Sequence, residues 1–248
     1  MEIIGMTKEQ LINLDPQSVD RLLSTAEIVY IAKTLEAFWQ FDYEAAEQGR
    51  PGYHAELKSL LHSDGFFVSA ILLQYPNVRA IMVNQMVAHF NRLKVPKPGL
   101  VAGIPRGATQ LGKDVADILG AENVEMKKED DRIILVNSID DSSKPLLLVE
   151  DFCTRGTGFT EAVLNIRSKQ PEVNFLPYGL YILNRGGLKE ISVEGVGSFR
   201  VVAVAEHRIN DWEPSKCPLC PKGSKVIKPK ATDENWRLIT TAQLGKAN

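Results

Sequence analysis

A series of short apolar runs in the second half of the chain constrains the fold most strongly. Each run has four to six residues, is bounded by Gly, Pro or Asp, and two of them are followed by a helical pattern. Such runs indicate strands that are buried on both faces of a parallel sheet. We therefore predict an α/β fold with a central, mainly parallel sheet flanked by helices. The runs occupy residues 100–104, 132–136, 146–149, 178–183 and 201–204.

Apolar residues at helical spacing predict the helices around these strands. One helix is expected over residues 15–47, with Asp15 as its cap and Pro16 in its first turn, and another begins at Pro76. A third pattern ends at Gly120, and a fourth covers residues 157–168. The sequence thus predicts helical segments before and between the strands.

Composition excludes several classes of protein. The 248 residues are 44% hydrophobic and 24% charged, which is typical of a globular protein of one large or two modest domains. The net charge of −2 gives no general attraction for nucleic acid or an anionic membrane. The chain starts without a signal-peptide pattern, and its three cysteines fit a reducing compartment, so we expect a cytoplasmic protein.

The most informative segment is Leu-Leu-Leu-Val-Glu-Asp-Phe-Cys-Thr-Arg-Gly-Thr-Gly, residues 146–158. A strand ends in two carboxylates, Glu150 and Asp151, and a Thr/Gly turn then opens a helix. Backbone amides and the helix dipole at such a turn bind phosphate. Two carboxylates beside an anion site could bind a ligand whose vicinal hydroxyls lie close to a phosphate, and a phosphorylated ribose is such a ligand. The alternative is that both acids only cap the turn.

A second strand-turn-helix segment is Val-Ala-Gly-Ile-Pro-Arg-Gly-Ala, residues 101–108. Gly107 allows close approach of an anion to the backbone, and Arg106 adds positive charge. A plain strand-to-helix turn is the alternative. A third interpretation is a nucleotide-binding loop over residues 107–114, but Asp114 stands where Ser or Thr normally serves Mg²⁺, and Leu111 already begins an apolar helix face.

Residues 150–157 resemble the signature of the type I phosphoribosyltransferases, which is an apolar strand, two acids, two variable residues and a Thr-x-Gly-Thr turn. The resemblance implies that Glu150 and Asp151 hold the ribose hydroxyls of phosphoribosyl pyrophosphate (PRPP). It assigns the 5′-phosphate to the loop made of Thr154, Arg155, Gly156, Thr157 and Gly158. Residues 103–107 likewise resemble the pyrophosphate loop of the orotate phosphoribosyltransferases.

Further segments extend the resemblance to the orotate enzymes. Lys127 and Lys128 match the start of a mobile basic loop that closes over pyrophosphate, commonly in the partner subunit's site, and Arg185 follows a strand as the orotate-binding Arg does. Residues 57–66 resemble a Leu-Thr-Ser-Gly-Arg-His-Ser-Asp-x-Tyr segment, in which Phe66 would contact the base or simply fill a core. Leu60 and Leu61 replace its Gly and its basic residue.

The resemblance implies a Mg²⁺-dependent pentosyltransferase that transfers phosphoribose from PRPP to a nucleobase. The expected base is orotate, and the expected assembly is a homodimer. Mg²⁺ would be held mainly by the substrate, with Asp151 as a possible ligand. Because of Leu60 and Leu61, a salvage enzyme for another base and a PRPP-binding regulatory protein remain alternatives. The predicted organisation is an N-terminal helical extension (1–56), a phosphoribosyltransferase core with a small hood (57–221) and a tail (222–248).

Cys217 and Cys220 have the spacing of half a zinc site. The sequence offers no second pair, and His207 lies ten residues upstream of Cys217. A structural zinc from one chain is therefore not expected, and the alternative is a dimer that pools two such pairs. Cys153, in the phosphate turn, is expected to be a packing residue rather than a nucleophile.

Overall fold

The computed structural model describes residues 1–244. The helices are α1 (Lys8–Ile12), α2 (Thr25–Thr34), α3 (Tyr43–Glu47), α4 (Ser69–Leu73), α5 (Pro76–Asn91), α6 (Thr109–Leu119), α7 (Thr157–Lys169) and α8 (Asp233–Thr241). The strands are β1 (Phe38–Gln40), β2 (Tyr53–Glu56), β3 (His62–Ser63), β4 (Gly65–Phe67), β5 (Leu100–Gly103), β6 (Glu122–Val124), β7 (Met126–Glu129), β8 (Arg132–Leu135), β9 (Leu146–Cys153), β10 (Phe175–Asn184), β11 (Glu190–Val193), β12 (Gly197–Glu206), β13 (Asp211–Trp212) and β14 (Lys225–Ile227).

The chain divides into two compact units, each made of two separate stretches. The first unit contains residues 1–31 and 72–208, and the second contains residues 32–71 and 209–248. These units do not coincide with the predicted boundaries at residues 56 and 221. The last four residues of the predicted tail lie outside the described residues.

The first unit is built on a six-stranded sheet in the order β11-β12-β10-β9-β5-β6. All neighbouring strands are parallel except β11, which runs antiparallel to β12. The predicted α/β class is therefore confirmed. The crossover through α6 leads from β5 outward to β6, whereas the crossover through α7 leads from β9 the other way to β10. The strand order thus reverses between β5 and β9, and open α/β sheets bind ligands at such a switch point.

Apolar packing fixes the strands around this switch point. The residues of β9 from Leu146 to Val149 are at most 1% exposed, and Phe159 and Ile166 of α7 are fully buried in the same core. Gly103 and Gly112 allow α6 to lie directly on β5, because a Cβ atom at Gly112 would overlap the backbone of Gly103. The carboxyl ends of both strands are therefore held in place.

The apolar run at 132–136 was predicted to join the central sheet, and this is wrong. It forms β8, which pairs antiparallel with β7 in a separate hairpin. Asp130 and Asp131 make its two-residue turn with φ of 46° and 59°. Positive φ at both central residues is the conformation of a tight hairpin turn. The turn returns the chain at once to pair with β7.

The single helix predicted over residues 15–47 is also wrong. Asp15 does accept a hydrogen bond from the Gln17 amide, but it caps only a short 3₁₀ turn. The helix α2 ends at Thr34, and Glu36 follows with φ of 58°. The aromatic residues beyond it form β1, which pairs with β4. The helices predicted from Pro76, up to Gly120 and from residue 157 are confirmed as α5, α6 and α7.

The second unit contains a four-stranded sheet in the order β13-β3-β2-β14, the β1–β4 pair and helices α3 and α8. Its core is small: the buried members of the cluster around the sheet are Trp39, Phe41, Ala55, Cys217, Leu219 and Ile239. Among residues 1–244, no helix is long and apolar enough to cross a membrane.

Candidate active site

The acid pair stands at the carboxyl end of the central strand β9. After four fully buried apolar residues, Glu150 and Asp151 are both half-buried. The side chain of Asp151 accepts a hydrogen bond from the Phe152 amide at 2.9 Å. The strand therefore brings both carboxylates to the edge of the sheet at the switch point.

The predicted phosphate loop follows directly and ends at the N-terminus of α7. Gly156 precedes the helix with φ of 70°, and a Cβ atom there would lie 2.7 Å from Ile191. Glycine is therefore required at this position by both conformation and space. The hydrogen bond from the Thr160 amide to the Gly156 carbonyl is the first of the helix, so the preceding amides point out of the helix end. Such an end attracts an anion.

Two glycines bring the loops close to the acids. A Cβ atom at Gly158 would lie 2.6 Å from Oε1 of Glu150, and one at Gly107 would overlap the carboxylate of Asp151. The loop after β5 therefore lies against Asp151, and the helix end lies against Glu150. The structure brings together the acid pair and both predicted anion-binding loops.

Burial and the charges of the acid pair raise pKa values at this site. Burial, followed by the charge of Asp151, raises the pKa of Glu150 to about 8. Burial, followed by the charge of Glu150, raises the pKa of the Cys153 thiol to about 12. A thiol with a raised pKa is a poor nucleophile, which favours the interpretation of Cys153 as a packing residue.

The nucleotide-binding interpretation of residues 107–114 does not fit the structure. The helix α6 is already formed from Thr109, Leu111 and Val115 are fully buried on its inner face, and Asp114 pairs with Arg79 at 2.7 Å. Lys113 is therefore part of a regular helix, not of a phosphate loop. Arg106 is exposed in the turn before α6 and follows a cis peptide bond from Pro105.

Lys127 and Lys128 lie on β7 of the hairpin, not in an irregular loop. Two side chains of α7 bind strand β8 through hydrogen bonds. Glu161 accepts one from the Ile133 amide at 2.6 Å, and Asn165 accepts one from the Leu135 amide at 2.9 Å. The buried side chain of Ile133 reaches to within 3.9 Å of an added Cβ at Gly158. The hairpin is thus anchored beside the helix that carries the phosphate loop.

Arg185 follows β10, which is the neighbour of β9 in the sheet. The amide of Arg185 donates to the Cys153 carbonyl at 2.8 Å, and Gly186 lies so close to Thr154 that a Cβ atom there would overlap its carbonyl oxygen. Arg185 is half-buried. The segment predicted to bind the base therefore packs directly on the predicted phosphate loop.

The sequence of the chain is similar to those of known orotate phosphoribosyltransferases. The chain is 27% identical over 177 residues to the orotate phosphoribosyltransferase of Caldicellulosiruptor bescii and to that of Caldanaerobacter subterraneus subsp. tengcongensis, which covers 71% of this chain and 87% of each relative. The predicted resemblance is confirmed. No protein-family model matches the chain.

Solved structures of orotate phosphoribosyltransferase and related proteins have the same type I phosphoribosyltransferase fold. The orotate phosphoribosyltransferase of Aeropyrum pernix matches with a TM-score of 0.51 at 16% identity, over 72% of this chain and 93% of that one. The UMP synthase of Leishmania donovani matches with a TM-score of 0.52 at 16% identity, over 77% of this chain and 38% of that one. At this identity the likeness concerns the fold alone.

Phe66 of the segment that resembles the orotate phosphoribosyltransferases belongs to the second unit. It is half-buried and lines a pocket of about 560 Å³ there, with Leu60 and three lysines on the wall: Lys58, Lys228 and Lys230. Leu60 has φ of 64° where the resembling segment has Gly, and Leu61 is 6% exposed where that segment has a basic residue. A contact of Phe66 with a base stays a prediction.

Several residues of these sites were not found from the sequence. Glu161 and Asn165, which anchor the hairpin, carry no motif signal. His54 and His62 lie beside Cys217 and Cys220 in the second unit, although the cysteine pair has no histidine close to it in sequence. Two histidines eight residues apart were the available signal for that cluster.

Proposed function

We propose that the chain is a Mg²⁺-dependent phosphoribosyltransferase that converts PRPP and orotate to orotidine 5′-monophosphate and pyrophosphate, a reaction of pyrimidine nucleotide synthesis. The observation that supports this most is the acid pair placed between two anion-binding loops at the switch point of the sheet. The orotate phosphoribosyltransferases to which the chain is similar support the choice of base.

The ribose 5-phosphate part of PRPP fits the segment from Glu150 to Gly158. Carboxylates accept hydrogen bonds from vicinal hydroxyls, which assigns the 2′ and 3′ hydroxyls to Glu150 and Asp151. The 5′-phosphate lies on the outward amides around Gly156 and on the hydroxyls of Thr154 and Thr157, where the dipole of α7 favours negative charge. Binding through fixed backbone groups orients C1 of the ribose.

Mg²⁺ fits this site because hard cations take oxygen ligands, and because a cation would relieve the burial and the repulsion by Asp151 that raise the pKa of Glu150. Asp151 is the residue that would contact the ion, while pyrophosphate and ribose oxygens supply most of its ligands. When bound, Mg²⁺ neutralises the charge of the pyrophosphate leaving group.

The reaction is a dissociative displacement of pyrophosphate from C1 of the ribose, and the chain's own groups assist it. The bond from C1 to the pyrophosphate oxygen breaks, and a nitrogen of the base forms the new bond to C1 with loss of its proton. Asp151 offsets the positive charge that develops on the ribose ring, and Glu150 adds to this effect in its ionised form. Arg106, the backbone at Gly107, and Lys127 or Lys128 stabilise the departing pyrophosphate.

The base is assigned to Arg185, because a planar guanidinium matches the acceptor-rich edge of a pyrimidine carboxylate. We further propose that the protein is a cytoplasmic homodimer in which Lys127 and Lys128 serve the partner subunit's site, as the resemblance implies. The hairpin that carries these lysines is anchored through β8 to α7.

A spectrophotometric assay of orotate consumption tests the proposal. Orotate absorbance should fall only when PRPP and Mg²⁺ are both present, and other bases should be consumed more slowly. Equal or faster use of a purine would contradict the assignment of the base. Failure with every base would contradict the transferase itself.

The second candidate is a PRPP-binding regulatory protein without catalysis. It is favoured by Leu61, which is buried where the resembling segment carries its basic residue. Calorimetry with PRPP and Mg²⁺ separates the two functions: binding without turnover on any base identifies the regulatory protein. A salvage enzyme would instead be identified by turnover with a base other than orotate.

A further inference from the structure

The second unit contains a cluster of four side chains that are typical metal ligands. We propose that this cluster is a structural Zn²⁺ site with two nitrogen and two sulfur ligands: His54, His62, Cys217 and Cys220. The four ligand atoms all lie within 4.8 Å of one another. This site is separate from the chemistry proposed for the first unit and does not depend on it.

Three nitrogen–sulfur distances in the cluster are close to those expected around zinc, and the nitrogen–nitrogen distance is somewhat shorter. A tetrahedral centre with the usual zinc bond lengths separates its nitrogen and sulfur ligands by about 3.6 Å and its two nitrogens by about 3.4 Å. The Nε2 atom of His54 lies 3.6 Å from Sγ of Cys217 and 3.5 Å from Sγ of Cys220. Nδ1 of His62 lies 3.4 Å from Sγ of Cys220 and 3.0 Å from Nε2 of His54. The ligands thus need little movement to coordinate one ion.

Hydrogen bonding alone does not account for this arrangement. Three groups, the thiols of Cys217 and Cys220 and Nδ1 of His62, converge on the Nε2 atom of His54. A neutral imidazole nitrogen has one lone pair and accepts one good hydrogen bond. A cation between the four atoms would satisfy all of them at once.

A neighbouring serine orients the first histidine for coordination. Nδ1 of His54 lies 2.9 Å from Oγ of Ser224, and both residues are buried. With Nδ1 protonated and donating to this hydroxyl, Nε2 presents its lone pair to the cluster. Zinc-bound histidines characteristically donate their second ring N–H to such a partner.

The site connects parts of the second unit that are far apart in sequence. His54 lies on β2 and His62 on β3, whereas both cysteines come from the turn after β13, more than 150 residues later. Cys217 also belongs to the small apolar core of this unit. Small cores are often supplemented by a metal or a disulfide, so the ion would hold the two halves of the unit together.

The ligand set selects zinc among the common ions. Two thiolates exclude Mg²⁺ and Ca²⁺, which take oxygen ligands, and two imidazoles with two thiolates in a tetrahedron are typical of zinc. Four protein ligands fill the coordination sphere, as in structural rather than catalytic zinc sites. A disulfide between Cys217 and Cys220 would remove both thiolates and is the competing state.

Metal analysis of the untagged full-length protein, purified under reducing conditions without chelator, tests the proposal. We expect about one zinc per chain. The double variant Cys217→Ser/Cys220→Ser should retain less than about a tenth of it. The variant Cys153→Ser, in the first unit, is the matched control and should keep the wild-type zinc content.

Cobalt substitution provides a second measurement that needs no variant. Wild-type protein stripped of zinc and loaded with Co²⁺ should show the intense visible bands of a tetrahedral centre and a sulfur-to-cobalt charge-transfer band. The proposal would be overturned if protein from zinc-supplemented growth contained no zinc, or contained iron in its place. A Cys217–Cys220 disulfide in the reduced preparation or an octahedral cobalt spectrum would also overturn it.

Discussion

The two candidate sites of this protein are assembled in opposite ways. In the first unit, the acids and the amides proposed to bind phosphate lie within nine consecutive residues, 150–158, at the end of one buried strand. In the second unit, the four zinc ligands come from two stretches that are far apart in the chain. The first site binds largely through backbone that the sheet already holds in place, whereas the ligands of the second site themselves hold the structure together. Substitutions should therefore affect turnover in the first site and stability in the second.

The largest effect should follow removal of the metal from the second unit. Because the ion joins two strands and a distant turn around a small core, a strong chelator should lower the melting temperature of the wild-type protein by about 10 °C, a loss of several kcal/mol. Calorimetry with and without chelator measures this shift. The Cys217→Ser/Cys220→Ser protein should melt at the chelated wild-type temperature and not respond to chelator. An unchanged wild-type transition in chelator would contradict a stabilising ion.

In the first unit, the substitution Asp151→Asn should reduce turnover by about 100-fold or more, because it removes charge that offsets the developing cation. Initial rates of orotate consumption measure the effect. The melting temperature should remain close to that of the wild type. Asp117→Asn, on the exposed face of α6, is the matched control and should keep normal turnover. Wild-type-like turnover of the Asp151 variant would contradict the site assignment.

The close approach of Gly107 to Asp151 predicts a smaller effect on binding. The variant Gly107→Ala places a methyl group where the Asp151 carboxylate lies, and overpacking of this kind costs about 1–3 kcal/mol. PRPP affinity should fall at least about tenfold in calorimetric titrations. Gly195→Ala lies in the exposed turn between β11 and β12, where the added methyl group meets open space but φ of 73° strains the backbone. This variant controls for a general loss of stability and should bind PRPP normally. Equal affinities for the two variants would show that this contact is unimportant.

The hairpin lysines should contribute less than the acids. Removing one exposed charge with Lys127→Ala should lower kcat about threefold to tenfold, since it weakens stabilisation of the leaving group. Stability should hardly change, because the ion pair from Lys127 to Glu129 is exposed and contributes little. Lys189→Ala, which loses a similar exposed pair with Glu206, is the control. If both variants have the same kcat, Lys127 has no role in the reaction.

A final prediction concerns the pH dependence of stability. The folded state holds the Glu150 proton up to a pKa of about 8, whereas the unfolded chain releases it near the ordinary glutamate pKa of 4.5. Between these values the native state binds more protons, so this group's contribution to stability falls as pH rises from about 4.5 to 8. Glu150→Gln should therefore raise the melting temperature more at pH 8 than at pH 5. A gain that is the same at both pH values would contradict the raised pKa.

The difference between the sites also explains what the sequence could predict. The strands β5, β9, β10 and β12 and the helices α5, α6 and α7 follow from local periodicity, and the acid pair is visible because it directly follows a buried strand. The hairpin strand β8 has the same apolar content as a core strand. Its placement depends on the two-residue turn at Asp130 and Asp131 and on side chains of α7.

The zinc cluster could not be predicted in the same way. The contact between His54 and Cys217 joins residues 163 positions apart, and only the fold of the second unit brings them together. Half of the ligand set was visible as the Cys-Pro-Leu-Cys segment, but local spacing gives no indication of which distant histidines complete it. Likewise, the aromatic residues after Glu36 fit a helix by spacing and become a strand because they pair with β4.

The central claim is that the acid pair and its two loops carry out phosphoribosyl transfer to orotate. The most direct test is the fall of orotate absorbance with PRPP and Mg²⁺, measured beside a panel of purine and pyrimidine bases. Turnover with orotate should require both PRPP and Mg²⁺ and should exceed that with every other base. No turnover on any base, with or without detectable PRPP binding, would contradict it.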